Sequence, residues 1–282
     1  MKQAARSAQL PPSDSPGVVE REAWRLGTTT ELIPVRLIEE VPVALVFNGV
    51  SHAVMLASPS DLADFALGFA LSESIIASAD ELLDLEVVPA GEGMEVRLTI
   101  TQRRFAGLKD RRRALTGRTG CGLCGVESLD DAMRPLPRLE DRAMLTLKAI
   151  RRALDGLEPR QRLNRLAGAV HAAAWAGSDG QIVHLAEDVG RHNAFDKVIG
   201  AMAARTGGRP PGFAVLTSRL SYELVQKAAT TGISALVAIS APTALAVEAA
   251  ERAGLCLVAL ARADSVTVYA GADRITDLNE VP

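Results

Sequence analysis

Two apolar runs, Val43 to Phe47 and Val50 to Ala57, flank Asn48-Gly49. That pair readily takes the positive φ angles of a type I′ turn, so the stretch predicts a β-hairpin. Ser58-Pro59-Ser60-Asp61 then supplies an N-cap, a proline at the first helical position and an acid at N3, and Leu62, Phe65, Ala66 and Phe69 share one helical face. Residues 83–101 return to period two, with Met94, Val96, Leu98 and Ile100 alternating against Glu95, Arg97 and Thr99, which predicts two strands about Gly91 and Gly93. The pattern over 25–101 is that of a small α+β unit.

Upstream, Pro11, Pro12, Ser13, Ser15, Pro16 and Gly17 predict a disordered tail over 1–24 with no apolar signal segment. Downstream, residues 102–140 show no periodicity and gather Arg103, Arg104, Lys109, Arg111, Arg112, Arg113 and Arg118, with Asp110 the only acid up to Arg118. They read as a basic linker loop. From 141 to 282 the texture changes again, to helices near 147–157 and 160–175 and strand-like runs at 181–186, 213–217, 235–239 and 255–260 separated by helical runs. Ser265 to Ala270 is a last strand. This alternation predicts an α/β domain of right-handed βαβ units on a largely parallel sheet.

Composition adds bounds. The 282 residues are 48% hydrophobic and 23% charged, as in a globular protein able to bury a sizeable core. A net charge of −3 gives no whole-surface attraction to nucleic acid or anionic membrane, and no apolar run is long enough for a spanning helix. Three cysteines, two as C-x-x-C, do not make a disulfide framework, so the reading is a reducing, cytoplasmic compartment.

The chemistry concentrates in two places. Thr119-Gly120-Cys121-Gly122-Leu123-Cys124-Gly125 sets two thiols among three glycines, where backbone and partner approach closely, and the basic residues upstream favour a nucleophilic thiolate. The other reading of Cys121 and Cys124 is a structural or zinc-bound pair. Zinc needs two further ligands, and none of His52, His171, His184 or His192 begins the H-x-E that zinc deaminases pair with P-C-x-x-C. No metal is therefore expected, and Cys256, inside an apolar run, reads as a core residue.

Glu187-Asp188-Val189-Gly190-Arg191-His192-Asn193 leads from a predicted strand into a helix. In parallel α/β sheets ligands bind beyond the carboxyl ends of strands, which places Glu187, Arg191 and His192 on one rim with Ser218, Arg219, Ser240 and Thr243. Helix N-termini, an arginine and hydroxyls suit a phosphate or pyrophosphate. Alternatively, Glu187 and Asp188 cap the helix and His192 and Asp196 form an i,i+4 pair.

The set T-G-C-G-L-C-G at 119–125, E-D-V-G-R-H-N-A-F-D-K at 187–197 and S-R-L-S-Y-E-L-V-Q-K at 218–227 resembles the formate dehydrogenase accessory proteins, the FdhD family. The likeness runs from about Thr30 to Ile275. It implies a sulfurtransferase that accepts persulfide sulfur from a cysteine desulfurase and passes it to the molybdenum bis(pterin guanine dinucleotide) cofactor, bound transiently, before formate dehydrogenase receives it. It also implies a homodimer and a cytidine-deaminase-like three-layer α/β domain after the N-terminal unit. On the resemblance Cys121 and Cys124 are the sulfur-carrying pair, and the cofactor segment falls on Leu260, Ala261, Arg262, Ala263, Asp264 and Ser265. This chain carries Ala263, Asp264 and Ser265 where the family often has glycine and a second basic residue. Two other functions share these features: a dithiol oxidoreductase using the C-x-x-C, and a non-catalytic molybdenum cofactor chaperone using the rim.

Overall fold

The computed structural model describes residues 17–116, 135–140, 142–262 and 264–277, without the side chains of 110–116. The predicted hairpin is β3 (Val41–Phe47) and β4 (Val50–Ala57), antiparallel, and both turn residues have positive φ, Asn48 at 47° and Gly49 at 80°. Asn48 also locks the neighbouring strand, donating from Nδ2 to the Ile100 carbonyl at 3.0 Å and accepting from the Ile100 amide at 2.8 Å. The two strands about Gly91 and Gly93 are β5 (Leu82–Ala90) and β6 (Gly93–Ile100), and the sheet runs β4-β3-β6-β5. Helix α1 (Leu62–Ser72) lays Phe65, Ala66 and Phe69 on Val43, Leu45, Phe47, Val96, Leu98 and Ile100. Burying each large side chain contributes roughly 1.5–3 kcal/mol before entropy.

Three local expectations fail here. The helix begins at Leu62 rather than after Ser58, with Asp61 in the left-handed region at φ 54° and making no side-chain cap. Ser58 is instead fully buried and its amide donates to Asp188 Oδ2 at 3.0 Å, a tertiary bond that overrides the local capping preference. The tail predicted over 1–24 is strand from Val18: β1 (Val18–Leu26) pairs antiparallel with β2 (Thr30–Ile38) as a separate two-stranded ribbon, and residues 1–16 lie outside the described ones. Gln102–Thr116, predicted aperiodic, is helix α2. Among its described side chains the apolar stripe is Phe105 and Leu108, both buried, which the surrounding charges hide, while Arg103 and Arg104 bridge to Glu81 at 2.8 and 2.7 Å.

Beyond 141 the strands are β7 (His171–Gly177), β8 (Ile182–Asp188), β9 (Gly212–Leu216), β10 (Ala235–Ala238), β11 (Cys256–Ala259) and β12 (Thr267–Ala270), in the order β12-β11-β10-β9-β7-β8. Only β9, β10 and β11 are mutually parallel; β7 runs against both its neighbours and β12 against β11, so the sheet is mixed rather than largely parallel. Strand β7 occupies positions predicted as helix. The helix there, α4 (Arg162–Ala167), stops at Gly168 in the left-handed region, and the Ala-rich run 172–176 is buried throughout, which removes the alternation that marks a strand. Helices α5 (Arg191–Ala203), α6 (Tyr222–Thr230) and α7 (Ala244–Ala253) cover one face of the sheet, and α3 (Leu147–Asp155) covers the other, giving three layers.

Candidate functional site

The thiols Cys121 and Cys124 lie outside the described residues, as do Ala263 and the side chains of Arg111, Arg112 and Arg113. The described flanks are α2, held at Glu81, and Leu139, whose amide donates to the carbonyl of Ala253, the last residue of α7, at 2.9 Å. Cys256 is fully buried on β11, and burial pushes its thiol up to about 11. It stays a thiol near neutrality and is a poor nucleophile.

The segment 187–197 splits into two roles. Glu187 is turned inward: Oε2 accepts from the Leu163 amide at 2.7 Å and Oε1 from the Asn164 amide at 2.9 Å, so its carboxylate caps α4 and does not face the rim. Asp188 pairs with Lys197 at 2.7 Å, both fully buried, and Asn193 donates to Asp188 at 3.0 Å and to the Leu56 carbonyl at 2.9 Å. Asp196 does not meet His192. It accepts from Lys227 at 2.9 Å and from Ser72 at 2.7 Å, while Lys227 also reaches Glu73 at 3.1 Å. Burial works against the Lys227 ammonium, but the Asp196 and Glu73 carboxylates outweigh it and raise its pKa. These charges join the N-terminal unit to the α/β domain.

Arg191 and His192 remain for the rim. They open α5, whose N-cap Gly190 provides no side-chain bond. Arg191 Nε and His192 Nε2 are buried atoms without a hydrogen-bond partner among the described residues; Glu223 Oε2 is 4.0 Å from His192 Nε2. Burial, then the neighbouring Arg191 and Lys227 charges, pushes His192 down to about 4, so it is neutral at pH 7. His171, at the start of β7 and in register with Asp188, is shifted down by burial and by Arg191. Sequence reasoning excluded it as a metal ligand but did not nominate it for the rim; the signal is its place opposite Asp188, which only strand pairing reveals.

The neighbouring loops are knitted to one another. The Leu220 amide donates to the Ala241 carbonyl at 3.2 Å, the Thr243 amide to the Leu220 carbonyl at 2.9 Å and the Leu260 amide to the Ser240 carbonyl at 3.2 Å. Ser218 is buried and Arg219 exposed beside it, whereas Thr243 Oγ1 caps α7 by accepting from the Ala246 amide at 3.2 Å. Leu260 has a positive φ of 50° and is 40% exposed; Ala261 is buried. Arg262 folds back to donate to the Ile239 and Ala261 carbonyls, and its amide donates to Ser265 at 2.7 Å, leaving Asp264 and Ser265 exposed. The carboxyl ends of β8 to β11 thus carry Arg191, Arg219, two neutral imidazoles and the uncapped first turn of α5 on one edge, donors suited to an anion. A cavity of about 450 Å³ lies elsewhere, between the units at the far ends of α5 and α6, lined by Leu71, Ile76, Arg104, Met202 and Arg209 and by none of the predicted site residues.

Comparison with known proteins agrees with this architecture. The profile of the FdhD/NarQ family matches residues 38–276. A Cupriavidus necator protein named sulfur carrier protein FdhD is 49% identical over 273 residues, covering 96% of this chain and 93% of the relative. A Variovorax paradoxus protein of the same name is 46% identical over 263 residues, covering 89% and 95%. A crystal structure from Desulfotalea psychrophila, whose name places it with the formate dehydrogenase accessory proteins, superposes with a TM-score of 0.74 at 22% identity over 92% of this chain and all of that one.

Proposed function

The chain belongs to the FdhD/NarQ family, and from that premise we propose that it is a sulfur carrier in formate dehydrogenase maturation, acting as a sulfurtransferase. The observation that carries this reading is near-half identity, over almost the whole chain, to proteins named sulfur carriers. The Cys121 thiolate attacks the sulfane sulfur of a cysteine desulfurase persulfide, forming Cys121–S–SH and releasing the donor thiolate, with no net change of oxidation state. Cys124 then attacks the inner sulfur, which releases sulfide to the molybdenum of the bis(pterin guanine dinucleotide) substrate. The Cys121–Cys124 disulfide left behind is reduced by an external dithiol.

The cofactor's guanine dinucleotide phosphates are the anions that the rim takes, held by Arg191, Arg219 and the amides opening α5, with Ser218, Ser240 and the 260–265 segment beside them. Phosphate charge so placed offsets the cost of burying Arg191 Nε without an acceptor. The carrier works as a homodimer in the cytoplasm.

Mass spectrometry of the intact protein after incubation with desulfurase and cysteine tests the reading. A gain of one sulfur per chain, lost on adding the molybdenum cofactor, is expected. Loss of two hydrogens without sulfur gain indicates a dithiol oxidoreductase, and no change of mass indicates a chaperone without covalent chemistry; either outcome overturns sulfur carriage.

A further inference from the structure

We propose that the β1–β2 ribbon is the dimerisation arm and that a second copy of this chain covers its apolar faces. The inference rests on the homodimer proposed above and gives it an interface.

The ribbon's side chains do not suit a free surface. Trp24 is 65% exposed and Leu26 76%, and the strand register sets Trp24 opposite Leu32, so these three share the outer end of one face. Leu37, 47% exposed and paired with Val19, stands on the other face. Against the body the ribbon rests on α4, and only Val18 along its length is buried. A two-stranded antiparallel ribbon is marginal in water by itself. Its ion pairs, Arg25–Glu31 and Arg36–Glu20, are partly or largely exposed and contribute little. Cover for both faces is what would hold nine-residue strands in register so far from the core.

Size and charge both point to a second copy as that cover. Strands of nine residues extend about 30 Å. A ribbon two strands wide offers about 300 Å² on each face, part of it already resting on α4, so the ribbon together with the oppositely charged surfaces flanking it approaches the roughly 800 Å² per partner of a stable interface. The chain is also electrically bipolar. Residues 17–101 carry fourteen carboxylates against four arginines, whereas residues 148–165 carry six cations against Asp155 and Glu158. Of those cations Lys148, Arg151, Arg160, Arg162 and Arg165 make no ion pair among the described residues, and they lie on α3, α4 and the turn between, of which α4 packs against the ribbon. On the acidic side Glu22 and Glu40 are exposed and likewise unpaired. A two-fold axis near the ribbon sets the acid-rich unit of each copy against the basic α3–α4 surface of the other, so the complementarity is satisfied twice. Trp and Arg, both present on the ribbon, are also the residue types enriched in an interface's strongest contacts.

The test is sedimentation velocity on the full chain, with tryptophan emission recorded on dilution. The chain has two tryptophans, Trp24 and the buried Trp175. The wild type is expected to sediment as a dimer with Trp24 emission shifted to the blue, moving red on dissociation. Trp24→Ser with Leu26→Ser, and separately Leu32→Glu, should weaken the dimer at least about thirtyfold. In the Trp24→Ser variant the remaining Trp175 emission reports that the body is still folded. Arg162→Glu with Arg165→Glu should weaken it in low salt and less in high salt. A wild-type dimer that survives both ribbon variants overturns the arm and leaves the dimer standing. A wild type that stays monomeric at every concentration overturns both.

Discussion

Gly68 and Gly200 lie face to face where α1 crosses α5. A Cβ on Gly68 would sit 1.8 Å from the Asp196 carbonyl oxygen, and one on Gly200 would sit 1.9 Å from that of Asp64. Both clashes are with backbone, which cannot rotate aside, so the two helices touch at main-chain distance because neither residue has a side chain. Alanine normally favours a helix over glycine by up to about 1 kcal/mol. Here Gly68→Ala or Gly200→Ala should instead destabilise by about 3 kcal/mol, as overpacking separates the units. Urea denaturation followed by circular dichroism measures it, and a neutral or stabilising result would show that the crossing yields.

The Asp196–Lys227 pair beside that crossing ties α5 to α6 and reaches the N-terminal unit through Ser72 and Glu73. Removing one partner strands a buried charge, so Lys227→Met should cost about 3–5 kcal/mol. Asp196→Leu combined with Lys227→Met should recover part of that loss, because no lone charge remains. Denaturation of the single and double variants separates the cases; equal losses would mean that the pair is not the coupled unit its 2.9 Å bond makes it.

The N-terminal hairpin, α1's apolar face and the strands around Gly91 were legible because each is a local pattern, a turn dipeptide or a clean period. Helix α2 was not, since a stripe of Phe105 and Leu108 among arginines carries too little signal. Strand β7 was misread because a strand buried on both faces between helical layers has no alternation to find. At the site, the rim's position follows from strand ends and was legible, while the division of 187–197 was not. Which of those polar side chains turn inward depends on Ser58, Ser72 and Lys227, more than thirty or a hundred positions away.

His192 gives the rim a pH signature. Its native pKa of about 4 lies below the unfolded value of 6.5, so the unfolded chain binds more protons between these limits. The stability from neutral His192 is complete above pH 6.5 and is lost as pH falls through about 4, up to about 3 kcal/mol in all. His192→Gln should flatten that part of the stability profile. Thermal melts from pH 7 to 4 show it, and a profile with the wild-type slope would place the titration elsewhere.

The thiols should prove inequivalent. In sequence Cys121 stands nearer the basic run, whose charge favours a thiolate or persulfide anion, and has Gly120 and Gly122 as neighbours, whereas Cys124 follows Leu123. After loading with labelled cysteine and desulfurase, Cys121→Ala should hold no label. Cys124→Ala should hold it but release it to the acceptor slowly, since no second thiol displaces the sulfide. Cys256→Ala should load at the wild-type level, because a buried thiol held near pKa 11 takes no part, though the lost sulfur leaves a small core void. Label at the wild-type level on Cys124 in the Cys121→Ala protein would reverse the order of the two, and label retained when both are replaced would take the pair out of the mechanism.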